Sequence, residues 1–99
     1  MKIPTSFKLL GHKYTVAYDP GLLDREGCSG LAVYQTHQIL LAPPNANRCI
    51  ERVCQTFWHE VAHHMMERMG CDDLRVDEKF IDMLSSLLHQ VIVTAEGEL

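Results

Sequence analysis

The chain lacks the charge pattern of a nucleic-acid binder. Among its 99 residues, 9 are Lys or Arg and 13 are Asp or Glu, which gives a formal net charge of -4. Acidic and basic residues are interspersed, so no basic stripe is available to neutralise a row of phosphates. We therefore expect no nucleic-acid partner.

Long apolar runs and paired cysteines are also missing. No run approaches the ~20 apolar residues of a membrane span, and the first residues lack the uninterrupted apolar stretch of an export signal. The 4 cysteines include no Cys-x-x-Cys pair, so they match neither a zinc knuckle nor a redox motif. These absences predict a cytoplasmic protein with reduced thiols and no membrane contact.

The first half of the chain is typical of short β-strands. With 46% hydrophobic residues, a chain of this length should form one domain, here 1-99, around one core. Residues 7-10 and 13-18 favour a hairpin around Gly11. Residues 31-34 and 38-42 predict a second hairpin or one bent strand, which places the sheet within 7-42.

The second half predicts two helices. Apolar residues recur at helical spacing over 48-69, with Asn45 or Asn47 as the expected cap and Gly70 as the stop. A second helix over 76-93 is predicted to bury an apolar stripe. Its members are Phe80, Leu84, Leu87, Leu88 and Val91. Strands followed by helices indicate an α+β fold, a small and mostly antiparallel sheet with both helices packed on it.

The first helix contains a pattern typical of zinc sites. His59 and His63 are four residues apart, so both imidazoles project from one helical face within reach of one ion. Glu60 lies beside them, which completes the sequence H-E-x-x-H. In this pattern the two histidines bind zinc and the glutamate acts as a base toward water. A helical-wheel projection places these residues opposite the apolar stripe of the helix.

A catalytic zinc site requires a third protein ligand. Glu67 follows His63 by four residues, but about 12 Å of helix rise separates it from His59, too far for one ion. Glu78 on the second helix is the preferred candidate, and Asp77 is the alternative. Asp82, one turn after Glu78, is expected to accept a hydrogen bond from a ligating histidine and fix its tautomer.

The strings "HEVAH" and "EKFID" resemble those of the zincin metallopeptidases of the gluzincin type. The chain is similar in layout to small zincin-like proteins of phages and prophages, and in pattern to the SprT-like and ImmA/IrrE-like peptidases. The resemblance implies zinc ligands His59, His63 and Glu78, with Glu60 as the catalytic base. It also implies a protein or peptide substrate along the strand edge within 31-42, and the host cytosol as the location of a phage-encoded protein. The chain departs from the larger peptidases in having only 14 residues between His63 and Glu78 and no C-terminal subdomain.

Three functions are compatible with this sequence. The favoured one is a zinc-dependent metallopeptidase that hydrolyses peptide bonds with a metal-activated water. The second is a binding or regulatory module in which zinc stabilises the small domain and catalyses no reaction. The third alternative is a helical interaction domain that binds no metal. Metal content and the effect of Glu60→Gln distinguish the three.

Overall fold

A computed structural model describes residues 2-99 of the chain, and it has the predicted α+β architecture. Four strands and four helices follow one another in the order β1 (Ser6–Leu9), β2 (His12–Tyr18), α1 (Leu22–Glu26), β3 (Gly30–Val33), β4 (Gln38–Leu41), α2 (Ile50–Arg68), α3 (Asp72–Arg75) and α4 (Glu78–Thr94). Within the described residues, no helix combines the length and the apolar character needed to cross a membrane.

The strands form one mixed sheet in the order β1-β2-β4-β3. β1 pairs with β2 and β3 pairs with β4 in antiparallel fashion, whereas β2 and β4 are parallel. The sheet is therefore mostly antiparallel, as predicted. Since β4 lies between two partners, β3 is one of the two edge strands, and this position decides which backbone groups a partner can reach.

The predicted first hairpin is present, and residues 30-41 form a second hairpin rather than one bent strand. In the first, Leu10 and Gly11 have φ values of 49° and 82°, the left-handed conformation that a two-residue type I′ turn requires. In the second, β3 and β4 pair from Gly30 opposite Leu41 to Val33 opposite Gln38. The loop between the hairpins contains only the five-residue helix α1.

Helix α2 packs one face against the sheet. The cluster between them consists of the buried side chains Ile39, Leu41, Val53, Phe57 and Val61. Each such side chain contributes about 1.5–3 kcal/mol when it is removed from water. The 3.6-residue spacing of the apolar positions therefore fixes which side of α2 faces the strands.

Helix α4 packs on α2, and the expectation that both helices lie on the sheet is wrong for α4. Its buried Ile81 contacts Ala62 and Met66 on the side of α2 that faces away from the strands. Since α2 is covered on both sides, Glu60 and His63 are buried although they lie opposite the apolar stripe. Glu60 is only 6% exposed and His63 only 8%.

The apolar stripe predicted for α4 is partly wrong. Leu87 and Val91 are 55% and 64% exposed, and the buried positions of the helix are Ile81 and Ser85. Because α4 packs mainly on α2, only a narrow face of it is covered. The sequence stripe predicted the apolar side of α4 but not the width of its contact.

The two long helices begin differently from one another. The first residue of α2 is Ile50 and its cap is Cys49, while the Asn45 side chain accepts a hydrogen bond from the Asn47 amide in the preceding loop. The prediction that Asn45 or Asn47 caps α2 is therefore wrong. Helix α4 has a true cap, because the Asp77 carboxylate accepts a hydrogen bond from the Phe80 amide at 3.1 Å.

Candidate metal centre

Two histidines of α2 and one glutamate of α4 converge at a single point. The Nε2 atoms of His59 and His63 lie 3.2 Å apart. Glu78 approaches both, with its Oε2 at 3.1 Å from His59 Nε2 and its Oε1 at 3.2 Å from His63 Nε2. The one-turn spacing on α2 aligns the imidazoles, and the Asp77 cap positions Glu78 in the first turn of α4.

This donor set fits zinc in chemistry and in spacing. Zinc binds imidazole nitrogens and carboxylate oxygens at about 2.0–2.2 Å in tetrahedral geometry, which separates the donor atoms by about 3.3 Å. In the structure the two imidazole Nε2 atoms lie 3.2 Å apart, and they lie 3.1 and 3.2 Å from the two different oxygens of the Glu78 carboxylate. Three protein donors would leave one tetrahedral position for water or substrate, the arrangement found in catalytic zinc sites.

The remaining ring nitrogens of the two histidines are also paired. His59 Nδ1 lies 2.8 Å from the Asp82 Oδ1 atom, and His63 Nδ1 lies 2.8 Å from the Arg75 carbonyl oxygen. A carboxylate or carbonyl acceptor at Nδ1 requires the proton there, which leaves Nε2 with its lone pair. Burial lowers the pKa of His63, and this favours the neutral imidazole that a metal requires.

Two sets of three potential metal ligands share His59. Within each set the donor atoms lie within 4.8 Å of one another. One set contains His59, Glu60 and His63, and the other contains His59, Glu78 and Asp82. However, Glu78 faces Nε2 of His59 whereas Asp82 faces Nδ1. One ion cannot use both nitrogens of one ring, so the geometry groups Glu78 with the two histidines and places Asp82 behind His59.

Glu60 lies next to the histidines and faces a cleft. Burial raises the pKa of Glu60 to about 7, with a smaller opposing effect from His59 and a reinforcing one from the negative charge of Glu78. Its carboxylate receives no hydrogen bond from any residue between 2 and 99. Because Glu60 lines the cleft, its carboxylate can contact a water molecule or a substrate there.

The cleft has a volume of about 360 Å³ and lies between β3, α2 and α4. Its lining residues are Cys28, Ser29, Gly30, Gln55, Thr56, His59, Glu60, Asp82, Ser85 and Ser86. Gly30 has a steric role here, because a Cβ at that position would lie 2.4 Å from Thr56 Cγ2 and 3.3 Å from Glu60 Oε2. The first residue of β3 can approach α2 this closely only without a side chain.

The alternative ligands lie elsewhere. Asp77 binds the Phe80 amide as the cap of α4, and neither Asp77 nor Glu67 belongs to a described set of convergent donors. His64, which follows His63, is fully buried and bonds to the Gln38 carbonyl oxygen at 2.8 Å. His64 therefore packs in the core and does not face the site.

Two contributors to the site were missed in the sequence. Arg75 acts through its backbone carbonyl, which the short helix α3 presents to His63; a backbone contact of this kind has no signature in the side-chain pattern. Gly30 lies between a loop and a strand, where a glycine is common for reasons of backbone conformation alone. Only its distance to Thr56 and Glu60 in the folded chain reveals that it forms a wall of the cleft.

No protein-family model, curated protein or solved structure matches this chain. The resemblance to the zincin peptidases therefore rests on the sequence strings HEVAH and EKFID alone.

Proposed function

We propose that this protein is a zinc-dependent peptidase in which His59, His63 and Glu78 hold the metal. The observation that supports this most strongly is the triangle of side chains formed by His59, His63 and Glu78. The two Nε2 atoms lie 3.2 Å apart, and each lies 3.1 or 3.2 Å from one oxygen of the Glu78 carboxylate. The triangle joins two helices, so it depends on the tertiary fold as well as on the i, i+4 spacing. When bound, zinc supplies a Lewis acid that polarises a carbonyl and acidifies water.

Glu60 is the proposed general base. Its carboxylate is buried and free of hydrogen bonds from the described residues, and its oxygen lies within 4.8 Å of the histidine donor atoms. In the proposed reaction Glu60 takes a proton from the attacking water and returns it to the departing amine. Asp82 and the Arg75 carbonyl hold the two imidazoles in orientation during these steps.

The proposed substrate is a peptide that extends the sheet at β3. Within 31-42, only β3 has an unpaired edge, because β4 is bonded on both sides. The start of β3 also forms one wall of the cleft beside Glu60. An added strand would gain main-chain hydrogen bonds from β3 and cross the cleft in an extended form.

We propose the cytoplasm as the site of action. None of the four cysteines forms a disulfide bond, which suits a reducing compartment.

A second candidate function is a zinc-stabilised binding or regulatory module. It is favoured by the position of the donors, because a metal held by His59, His63 and Glu78 would tie α2 to α4. The Glu78 and Asp82 side chains are 63% and 70% exposed, so the centre lies at an open surface. In this case the metal contributes stability and Glu60 has no chemical role.

Glu60→Gln distinguishes the two candidates. The experiment measures zinc content after purification without a metal-affinity tag, together with cleavage of a mixed peptide library followed by mass spectrometry. A peptidase retains about one zinc per chain in Glu60→Gln and loses cleavage by at least about 100-fold. Glu67→Gln, a matched change in the same helix, should leave both properties unaltered.

The outcomes separate all three hypotheses. Cleavage by the wild type that persists in Glu60→Gln contradicts the proposed mechanism. Bound zinc without cleavage in the wild type favours the binding module. Protein that contains no zinc and takes up none on titration supports the metal-free interaction domain.

A further inference from the structure

A second cavity adjoins the cleft of the candidate metal centre. It has a volume of about 310 Å³ and is lined by Ser29, Asn47, Arg48, Arg52, Gln55 and Thr56. Three of these residues, Ser29, Gln55 and Thr56, also line the first cleft. The two cavities therefore form one groove that runs along α2 from the metal centre toward the start of the helix.

The far end of the groove is basic. Its charged lining residues are Arg48 and Arg52, which are four residues apart, and no acidic residue lines this cavity. The Arg48 guanidinium donates two hydrogen bonds to the Pro43 carbonyl oxygen, at 3.1 and 2.7 Å, so its position is fixed. The neighbouring Glu51 lines a different cavity, with Cys54 and other residues.

The Arg52 side chain has no partner of its own. Its guanidinium forms no ion pair or hydrogen bond with any residue from 2 to 99, and the residue is exposed. A guanidinium presents a planar fork of donors that matches a carboxylate in two parallel hydrogen bonds. The opposite end of the groove is lined by Asp82, and Glu78 lies beside it against His59; the two ends thus have opposite charge.

The length of the groove sets the position of the ligand charge. Arg52 precedes His59 by seven residues, which corresponds to about 10.5 Å along the helix axis. An extended peptide advances about 3.3 Å per residue. A carboxylate that reaches Arg52 therefore lies about three residues from the peptide bond at the metal centre.

We propose that the groove selects peptides carrying a carboxylate about three residues from the bond that is cut, and that Arg52 binds this carboxylate with help from Arg48. The proposal rests on the proposed peptidase function and adds a substrate class to it. The carboxylate belongs either to an Asp or Glu side chain or to the C-terminus of the peptide, because a guanidinium recognises both in the same way.

The test measures binding separately from cleavage. Zinc-loaded Glu60→Gln protein is titrated, by fluorescence anisotropy, with neutral eight-residue peptides that differ only in one Glu or Gln. Each pair is made with a free and with an amidated C-terminus. We expect the Glu peptide, or the free C-terminus, to bind about tenfold more tightly than its neutral counterpart.

Arg52→Gln in the same background should abolish this preference. Lys8→Gln is the matched control, since it removes one positive charge from β1, an edge strand other than β3. Lys8→Gln should retain the preference. A preference for Glu in amidated peptides identifies the side chain as the source of the carboxylate, and a preference for the free C-terminus of neutral peptides identifies the terminus.

Equal affinity for the paired peptides, no detectable binding of either, or a preference that survives Arg52→Gln overturns the proposal. Failure of the peptidase function is seen independently. In that case the Arg52-dependent preference is present but the zinc-loaded wild type cuts none of the peptides. If the wild type does cut, mass spectrometry should place the cut about three residues from the carboxylate.

Discussion

Replacing Glu78 and Asp82 in turn tests the assignment of the metal centre. Glu78 lies 3.1 and 3.2 Å from the Nε2 atoms of the two histidines, whereas Asp82 contacts only Nδ1 of His59. Glu78→Ala removes a direct ligand and should lower zinc affinity by more than about 100-fold, as His59→Ala should. Asp82→Ala removes an orienting hydrogen bond and should cost about 10- to 100-fold, or about 1.4–2.8 kcal/mol.

The assay is a competition titration against a chromophoric zinc chelator, accompanied by unfolding of the metal-free proteins in urea. Both side chains are mostly exposed, at 63% and 70%, so each substitution should change the metal-free stability by no more than about 0.5 kcal/mol. A change in zinc affinity can then be attributed to the site. Glu67→Ala serves as the control and should leave the affinity within about twofold, because Glu67 belongs to no described donor set.

The reverse order of effects would refute the assignment. If Asp82→Ala removed the metal and Glu78→Ala retained it, the ion would lie on the Nδ1 side of His59. His63 could not then be a ligand, since its Nε2 atom lies beside Nε2 of His59, away from Nδ1 of that ring. If Glu67→Ala removed the metal, α2 would not be a continuous helix in solution.

Three further predictions concern metal and packing. When zinc is present at a thousandfold excess over its Kd, it should stabilise the fold by about 4 kcal/mol. Removing it with a chelator should lower the melting temperature by about 15–30 °C, and an unchanged melting curve would mean that the metal does not link the helices. Gly30→Ala should lower the free energy of unfolding in urea by about 1–3 kcal/mol, because the new methyl group would lie 2.4 Å from Thr56 Cγ2. Gly21→Ala is the control and should have little effect, since its methyl group would meet no atom closer than 3.6 Å. Equal losses of stability in the two variants would contradict the close approach of β3 to α2. Asp77→Ala should lower the free energy of unfolding by about 1 kcal/mol, because the Phe80 amide loses its cap. The folded variant should still bind about one zinc per chain.

Local sequence was sufficient for the elements and for part of the site. Alternating and helical periodicities predicted both hairpins and both long helices, because these patterns depend on neighbours within a few residues. The pairing of His59 with His63 was also local, since the geometry of one helical turn fixes it. Capping was predicted less well, because the Asn45 side chain accepts a hydrogen bond from the Asn47 backbone amide in the loop before α2 instead of from the helix.

The contacts between elements could be decided only by the tertiary structure. The position of α4 on α2 determines that Glu60 and His63 are buried and that Glu78 reaches both imidazoles. The Arg75 carbonyl and Gly30 enter the site by backbone position, which no side-chain pattern records. The sequence by itself determined the two histidines and the glutamate between them, because one helical turn fixes their spacing, whereas the third donor, the cleft and the unpaired edge of β3 depend on how distant segments pack.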